Sequence, residues 1–387
     1  MQNLSVVVVG AGMGGLTAAI ALRRAGYEVH VYEQAPAIAP IGAGISLWPN
    51  GVKVMSWLGL GAEVERAGVP LLGMQYRDAR GELLTEIPMQ PLVDAVGERP
   101  YPISRADLHA ILTDALGVER LTLDALCVGV EQDEHGATAI FADGRRARGD
   151  VLVGADGIRS TVRAQAFPEA PAPRYAGNVT WVGLVDQDAE LNGPGLFTLY
   201  VGERKRLGVM PVGDGKLYVF LDAAMPPGAI ADGATSYEVL RALFAGWCAP
   251  VVRLVERLDP ATIVPLEIHD MDPLPHVARG RVALLGDAAH AATPSLGQNG
   301  AQAMEDAVVL TQALVTTSIG VEDALRRYEQ QRRERTAAVV RHARARTDVM
   351  FGAEPGAAER WYEALREQRD GEFVALQTRV ILEGPLR

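Results

Sequence analysis

The chain has 387 residues, and 48% of them are hydrophobic, which is enough for two packed units with sizeable cores. Its formal net charge of −11 leaves no broad basic surface for a phosphate backbone, so we expect no nucleic-acid partner. The two cysteines, Cys127 and Cys248, fit neither a disulfide framework nor a metal site. We therefore expect two buried thiols in a cytoplasmic protein without a bound metal.

The stretch from residue 5 to residue 22 carries no charge and approaches the length of a membrane span. Glycines interrupt it at residues 10–15, and no basic leader precedes it. We therefore interpret it as part of a soluble domain and not as a signal peptide or a membrane helix. Residues 6–9 predict a buried parallel strand, residues 14–24 a helix, and residues 28–33 the second strand of a βαβ unit.

Further along the chain, Ser104 and Asp107 resemble a capping box and predict a helix to about Leu116. Turn signals at 134–136 and 142–144 predict a meander between residues 119 and 154. Four strand-like runs then predict an inserted antiparallel sheet; they are residues 180–185, 197–201, 207–212 and 217–221. An arginine-rich stretch at 321–346 predicts a long helix with a solvated face.

The first candidate motif is G-x-G-x-x-G, formed by Gly10, Gly12 and Gly15. Such a turn brings the backbone close to a pyrophosphate at a helix N-terminus, where N–H groups and the helix dipole favour anions. Glu33 ends the next strand, roughly twenty residues on, where a carboxylate can accept both ribose hydroxyls. The motif indicates a dinucleotide but does not distinguish FAD from NAD, and a structural glycine turn is the alternative.

Two later segments each combine a strand with a turn and a helix start. Residues 150–163 contain the turn Asp156-Gly157, and residues 281–290 end a strand in Gly286-Asp287. A carboxylate after a strand can bind a sugar-like polyol, and the glycines of residues 294–300 leave N–H groups free for an anion such as the N1/C2 region of a reduced flavin. Taken singly, each segment could be an ordinary strand-to-helix turn.

In this order, the three motifs resemble the aromatic-ring hydroxylase family of single-component FAD monooxygenases over essentially the whole chain. We accordingly predict a protein of the α/β class, whose two domains are combined in an α+β arrangement. A three-layer ββα FAD-binding domain is expected from residues 1–75, 98–175 and 267–345. An antiparallel substrate sheet is expected from residues 76–97 and 176–266, and a helical tail from 346–387. The resemblance implies FAD contacts at Gly12, Gly14, Gly15, Glu33, Gln34, Ser46, Arg105, Val128, Asp156, Asp287, Gly297, Gln298, Asn299 and Gly300.

Four longer strings, at residues 46–53, 174–177, 244–247 and 267–270, are similar to the urate-hydroxylating members of this family. The resemblance implies that NADH reduces the flavin and leaves, and that O2 then forms a hydroperoxyflavin. One oxygen atom passes to urate, giving 5-hydroxyisourate and water in purine catabolism. The alternatives are the same chemistry on a hydroxybenzoate or another phenol, and a flavin-binding redox or regulatory protein without oxygen insertion.

An anionic substrate requires a cation, and Arg206 lies just before the apolar run 207–212. If residues 213–215 form a three-residue hairpin loop, Arg206, Met210, Tyr218 and Phe220 share one face, whereas a two-residue turn puts Tyr218 on the opposite face. The family pattern implies that Arg206 and Tyr218 are catalytic. The implied substrate contacts are Thr180, Arg206, Tyr218, Val219, Phe220 and Ser295.

Two positions depart from the urate-hydroxylating pattern, which has Asn in place of Thr180 and Asp in place of Ser295. A serine hydroxyl is too weak an acid to act as a resting anion, and a helix-capping hydroxyl is the alternative for Ser295. We interpret His290, His269 and Asp270 as structural and not as catalytic acids or bases. Both a monomer and a homodimer are consistent with the sequence.

Overall fold

The structure is a computed structural model that describes residues 4–38, 43–230, 233–316, 320–352, 354–367 and 371–386. The strands are β1 Ser5–Val9, β2 Glu28–Tyr32, β3 Gly44–Leu47, β4 Gly73–Asp78, β5 Leu83–Pro88, β6 Tyr101–Ser104, β7 Leu121–Thr122, β8 Cys127–Asp133, β9 Gly136–Phe141, β10 Arg146–Gly149, β11 Val151–Gly154, β12 Arg174–Asp186, β13 Leu196–Gly202, β14 Lys205–Pro211, β15 Lys216–Ala224, β16 Val264–Asp270, β17 Ala278–Arg279 and β18 Val282–Leu284. The helices are α1 Met13–Arg24, α2 Pro49–Trp57, α3 Gly61–Ala67, α4 Gln90–Val96, α5 Arg105–Leu116, α6 Thr161–Ala166, α7 Gly233–Leu243, α8 Ala249–Arg257, α9 Asp287–His290, α10 Asn299–Val315, α11 Val321–Phe351, α12 Ala357–Glu367 and α13 Gly371–Leu382.

The described residues form two compact units. Unit 1 takes them from 1–39, 109–174 and 269–344, and unit 2 takes them from 40–108, 175–268 and 345–387. Among the described residues, no helix has the length and apolar composition needed to cross a bilayer.

Unit 1 is built on a six-stranded sheet of order β17-β18-β11-β1-β2-β7. Strand β1 pairs in parallel with β2 and β11, and its valines are buried because both faces of the sheet are covered. The antiparallel sheet β10-β9-β8 contacts β1 and β11, and helix α1 packs against α10. The predicted βαβ unit, meander and ββα layering are confirmed.

Unit 2 is built on a seven-stranded sheet of order β16-β12-β15-β14-β13-β4-β5. The four predicted runs form β12 to β15, with antiparallel pairs β12–β15, β15–β14 and β14–β13. Odd-numbered residues of β14 and β15 pack in a core with side chains of α7 and α8, and these two helices had not been predicted. Even-numbered residues pack on the other face with side chains of α4, α12 and α13.

The compact units differ from the predicted domains in two places. Residues 43–75 and 98–108 belong to unit 2, because β4 pairs with β13, and because β3 pairs with β6, whose Ser104 N–H donates to the Val212 carbonyl. The C-terminal helices also belong to unit 2, since Tyr362, Leu365 and Ile381 are buried in the core of its sheet. Both cysteines are free thiols, but only Cys127 is buried, and Cys248 is half-buried.

Candidate cofactor and substrate sites

The glycine turn of unit 1 is a tight connection between β1 and α1. Gly10 has φ +106°, and a Cβ atom there would lie 2.3 Å from the carbonyl oxygen of Ala155. A Cβ atom at Gly15 would lie 2.1 Å from the carbonyl oxygen of Gly10. Backbone atoms occupy both spaces, so only glycine fits at either position.

Helix α1 begins directly after Gly12, with no side-chain cap and no acidic residue in its first turn. The first backbone bond of the helix runs from the Leu16 N–H to the Gly12 carbonyl at 3.0 Å, so the preceding N–H groups lack helical partners. A Cβ atom at Gly12 would meet no described atom within 4 Å. This helix start therefore fits the pyrophosphate of a dinucleotide.

The Glu33 carboxylate is bound to the backbone of the same turn. Its Oε2 accepts from the Ala11 N–H at 2.7 Å, and its Oε1 accepts from the Ala35 N–H at 2.9 Å. Each carboxylate oxygen has two lone pairs, so the residue can hold the turn and still accept ribose hydroxyls. Gln34 beside it is exposed.

Val128 lies at a β-bulge, which no sequence pattern had indicated. Cys127 pairs with Phe141 and Gly129 pairs with Ile140, so Val128 stands outside the ladder between β8 and β9. Its side chain is 47% exposed. A bulge frees backbone groups for a ligand, which suits the predicted cofactor contact at this residue.

Asp156 organises the turn between β11 and α6. Its carboxylate accepts from the Ser160 hydroxyl at 2.5 Å and from the Val162 N–H at 3.1 Å. Burial raises the pKa of the Asp156 carboxyl, and these hydrogen bonds oppose that rise. Arg163 then joins this turn to the third motif, because it donates to the carbonyls of Ile158 and Ala288.

The third motif, the loop that contains Gly286 and Asp287, is held by hydrogen bonds to the buried Asp306 of α10. One carboxylate oxygen accepts from the Gly286 N–H at 2.9 Å and from His290 Nε2 at 2.6 Å, and the other accepts from Arg332 Nε at 2.6 Å. Burial alone raises the pKa of Asp306, but His290 and Arg332 outweigh it and lower the pKa to about 2. The interpretation of His290 as structural is thereby supported, and the loop that carries Asp287 has an ionic support.

The segment before α10 contains the last predicted cofactor residues. Gly297 adopts a left-handed conformation with φ 65°, and α10 begins after Gln298 with no acidic residue in its first turn. Asn299 Nδ2 donates to the Ala292 carbonyl at 2.6 Å, and Gly300 lies in the first turn. Ser295 lies inside the 3₁₀ turn Pro294–Leu296, whose N-cap is Thr293, so Ser295 is not the helix cap of the alternative interpretation.

His269 and Asp270 lie at the end of β16. The Asp270 carboxylate is fully buried and accepts from Arg174 at 3.0 and 3.1 Å and from Arg344 Nε at 2.7 Å. Burial raises the pKa of Asp270, but hydrogen bonds from the two arginines lower it below its ordinary value. A carboxylate held by two cations supports the structural interpretation.

In unit 2, the hairpin between β14 and β15 has the three-residue loop. The Val212 N–H donates to the Lys216 carbonyl at 3.1 Å, and Met210 stands opposite Tyr218. Arg206, Tyr218 and Phe220 therefore share the even-numbered face of the sheet, as predicted for this loop length. Val219 has its side chain on the odd-numbered face in the core, so any contact of Val219 on the even face is through its backbone.

Three buried polar residues form a row across adjacent strands on this even face. Thr180 pairs with Asp222, and Asp222 pairs with Arg206. The Thr180 hydroxyl donates to Asp222 Oδ1 at 2.5 Å, and Arg206 Nε donates to Asp222 Oδ2 at 2.6 Å. Burial lowers the pKa of Arg206, but Asp222 more than offsets this and raises it, so the guanidinium stays charged.

Two aromatic rings lie near the Arg206 end of this row. The Arg206 guanidinium lies 5.4 Å from the Phe220 ring centroid and 5.8 Å from that of Phe351, within the range of cation–π attraction. Gly44 lies against the Tyr218 ring, since a Cβ atom there would be 2.6 Å from a ring carbon. Burial and the charge of Asp222 raise the pKa of the Tyr218 phenol, so the phenol is neutral at ordinary pH.

Two further predicted cofactor residues lie in unit 2. Ser46 is on β3, and its hydroxyl donates to the Met210 sulfur at 3.5 Å. Arg105 is the exposed first residue of α5, and the Ser104 hydroxyl accepts from the Asp107 N–H at 3.3 Å as the capping pattern predicted. The cofactor contacts of Ser46 and Arg105 stay predictions.

Sequence reasoning had missed Asp222, Arg163, Asp306 and Arg332. For Asp222 a signal was available, because the register that places Met210 opposite Tyr218 also places Arg206 opposite Asp222. For Asp306 and Arg332 no local pattern exists, since they lie on different helices.

A ββα unit that fits a dinucleotide, together with a buried cation on a second sheet, matches the flavoprotein monooxygenase that the sequence motifs predicted. A sequence profile of the family described as FAD binding domain matches residues 3–343, and the chain therefore belongs to this family. The predicted family, FAD cofactor and monooxygenase class are confirmed.

Among its relatives, the chain is 44% identical to the FAD-dependent urate hydroxylase of Klebsiella pneumoniae subsp. pneumoniae, over 99% of this chain and 100% of the relative. It is 42% identical to the FAD-dependent urate hydroxylase of Mycolicibacterium vanbaalenii, over 99% of this chain and 98% of that one. The structure is also similar to Klebsiella pneumoniae HpxO complexed with FAD and uric acid, with a TM-score of 0.95 and 43% identity over 100% of this chain and 98% of the other.

Proposed function

We propose that the protein hydroxylates urate to 5-hydroxyisourate, using NADH and O2, in a cytoplasmic purine pathway. The observation that carries this proposal is the buried Thr180, Asp222 and Arg206 row, with Tyr218 on the same face, in a chain that aligns over its full length with urate hydroxylases. Urate is an electron-rich heterocycle that reacts as an anion, so its site requires a cation in a place shielded from water.

Arg206 supplies that cation. The Nε of Arg206 donates to the Asp222 carboxylate, and the Nη1 of Arg206 donates to the Met350 sulfur at 3.4 Å. Among the described residues Nη2 has no hydrogen-bond partner, so this edge of the guanidinium is left for a ligand. A planar guanidinium held at one edge presents N–H donors in a fixed direction to a flat anion. Phe220 packs beside it and excludes water.

Tyr218 and Thr180 supply the remaining polar groups. Because burial raises the pKa of Tyr218, the residue acts as a neutral phenol that exchanges hydrogen bonds with the substrate and does not act as a base. The Thr180 hydroxyl gives its hydrogen to Asp222, which leaves its lone pairs to accept a ring N–H. Thr180 can therefore serve a purine despite the departure from Asn.

The residues of unit 1 fit the cofactor. The N–H groups after Gly12 would hold the pyrophosphate, Glu33 the ribose, Asp287 the polyol chain, and the start of α10 the ring carbonyl region. When bound, the flavin supplies the activation of O2 after reduction by NADH. We propose that NADH binds transiently, as the sequence predicts. We keep Ser295 as a predicted substrate contact.

The test measures NADH oxidation and the loss of ultraviolet absorbance of urate by the purified FAD-loaded protein, with product identification. Urate should accelerate NADH oxidation, and 5-hydroxyisourate should form. Stimulation by salicylate but not by urate would assign the chemistry to a phenol, and no stimulation by either would favour a redox or regulatory protein.

The variant Arg206→Met tests the proposed role of Arg206 in binding urate. We expect the KM for urate to rise about tenfold or more, because a charge-assisted hydrogen bond is lost, while slow NADH oxidation without urate continues. The control is Arg241→Met, at an exposed position of α7. Equal KM values in the two variants would remove Arg206 from the substrate site.

A further inference from the structure

Ala11, inside the glycine turn of unit 1, has both of its peptide groups held by side chains. Its N–H donates to Glu33 Oε2 at 2.7 Å, and its carbonyl oxygen lies 2.7 Å from His109 Nε2. A carbonyl oxygen can only accept, so Nε2 of His109 is the donor. His109 lies on α5, one turn after Arg105, and neither the motifs nor the family resemblance had indicated a role for it.

The hydrogen bond of His109 determines where a neighbouring group points. A trans peptide is planar, so the carbonyl of Ala11 and the N–H of Gly12 point in opposite directions. Fixing the Ala11 carbonyl toward His109 therefore fixes the Gly12 N–H on the other side. Gly12 is the N-cap residue of α1, and a Cβ atom there would meet no described atom within 4 Å.

This peptide needs an external restraint. Ala11 is flanked by Gly10 and Gly12, and glycine has a wider range of backbone conformations than other residues. Glu33 fixes only the peptide between Gly10 and Ala11, through the Ala11 N–H. His109 is the residue that fixes the next peptide, which carries the N–H of Gly12.

We propose that His109 is a positioning residue for FAD: its bond to Ala11 directs the Gly12 N–H toward the pyrophosphate. His109 does not touch the cofactor in this role and acts through the backbone. Thr113, one turn further along α5, lies behind the ring, with its hydroxyl oxygen 3.4 Å from His109 Nδ1.

The experiment compares His109→Gln with His109→Asn. A glutamine side chain carries an N–H to about the position of Nε2, whereas asparagine is one methylene shorter and cannot reach the Ala11 carbonyl. The measured quantities are the Kd of FAD for the apoprotein, from the quenching of flavin fluorescence, and the thermal unfolding of the apoprotein. The ³¹P NMR shifts of bound FAD report the pyrophosphate directly. The exposed His135 provides the control variant His135→Asn.

We expect His109→Asn to weaken FAD binding about three- to tenfold, the effect of one hydrogen bond, and to shift the ³¹P signals. His109→Gln and His135→Asn should stay within about twofold of the parent protein. The proposal is overturned if His109→Asn binds FAD as His109→Gln does, or if it lowers the unfolding temperature while the Kd and the ³¹P shifts are unchanged. Should His109→Asn not fold, His109→Leu takes its place in the same comparison.

Discussion

In the function proposed above, the cofactor region of unit 1 and the even face of unit 2 would recognise negative charge by different means. The glycine turn uses backbone N–H groups at a helix start, and its geometry depends on the absence of side chains at Gly10 and Gly15. The even face uses a side chain, Arg206, whose direction depends on its strand register and on Asp222. A backbone site has a fixed local sequence pattern, whereas a side-chain site can change its ligand with one substitution.

The largest expected effect concerns Asp306, which holds the loop of Gly286 and Asp287. Asp306→Asn removes the hydrogen-bond partner of the buried His290 and one of the two buried carboxylates that pair with Arg332, the other being Glu305. Breaking a buried ion pair by removing one partner costs about 5 kcal/mol at the upper end. We expect the free energy of unfolding to fall by that amount, measured by denaturant titration of the FAD-loaded protein. A loss below about 1 kcal/mol would mean that the loop is held by other contacts.

The pH dependence of the unfolding free energy provides a second test of the ionic contacts of Asp306. The folded-state pKa of Asp306 is about 2, below its ordinary value of 3.8, so its contribution to stability is present above pH 3.8 and is lost as the pH falls toward 2. Between these values, the stability of the parent protein should fall more steeply with decreasing pH than that of Asp306→Asn. Parallel curves would contradict the lowered pKa.

The next effect tests the side-chain site. Asp222→Asn leaves the buried Arg206 without its ion-pair partner, and we expect a loss of about 3 kcal/mol in the free energy of unfolding. The double variant with Arg206→Met should recover much of that loss, because no buried charge is then unpaired. Asp186→Asn, at an exposed ion pair with Lys216, is the control and should change little. If the losses of unfolding free energy in the two single variants simply add in the double variant, Asp222 stabilises the fold independently of Arg206.

A third pair of variants separates folding from binding in the backbone site. Gly15→Ala places a Cβ atom 2.1 Å from the Gly10 carbonyl oxygen, and we expect the apoprotein to lose about 2 kcal/mol. In Gly12→Ala the Cβ atom meets no described atom within 4 Å, so apoprotein stability should be nearly unchanged while FAD affinity falls. If FAD binds Gly12→Ala normally, the pyrophosphate does not lie against this residue.

The smallest expected effect on stability concerns Thr180, at the end of the row formed with Asp222 and Arg206. Thr180→Val removes the hydroxyl that donates to Asp222, and we expect a loss of about 1 kcal/mol in unfolding free energy. Thr180→Ser keeps the hydroxyl and is the matched control. Identical unfolding curves for the two variants would exclude a stabilising role for this hydrogen bond.

Local patterns predicted much of this architecture. The valine run, the glycine turn and the Asp156 and Asp287 turns are contiguous segments, and a loop of three residues was enough to place Tyr218 on the face of Arg206. Long-range pairings had no such pattern: Arg332 reaches Asp306 from another helix, and His109 reaches Ala11 across 98 positions. The association of the C-terminal helices with unit 2 depends likewise on which apolar face they cover, and sequence periodicity does not identify the partner of such a face.

Gly44 has a consequence for ligand selection. Its bare backbone lies against the Tyr218 ring, so the ring is immobilised when the protein folds and not when a ligand arrives. If Tyr218 contacts the substrate as proposed, the entropy cost of ordering its side chain, roughly 0.5–1.5 kcal/mol, is thereby removed from the binding step. Any residue larger than glycine at position 44 would displace the Tyr218 ring, which makes this position a natural starting point for altering the range of compounds that the proposed substrate site accepts.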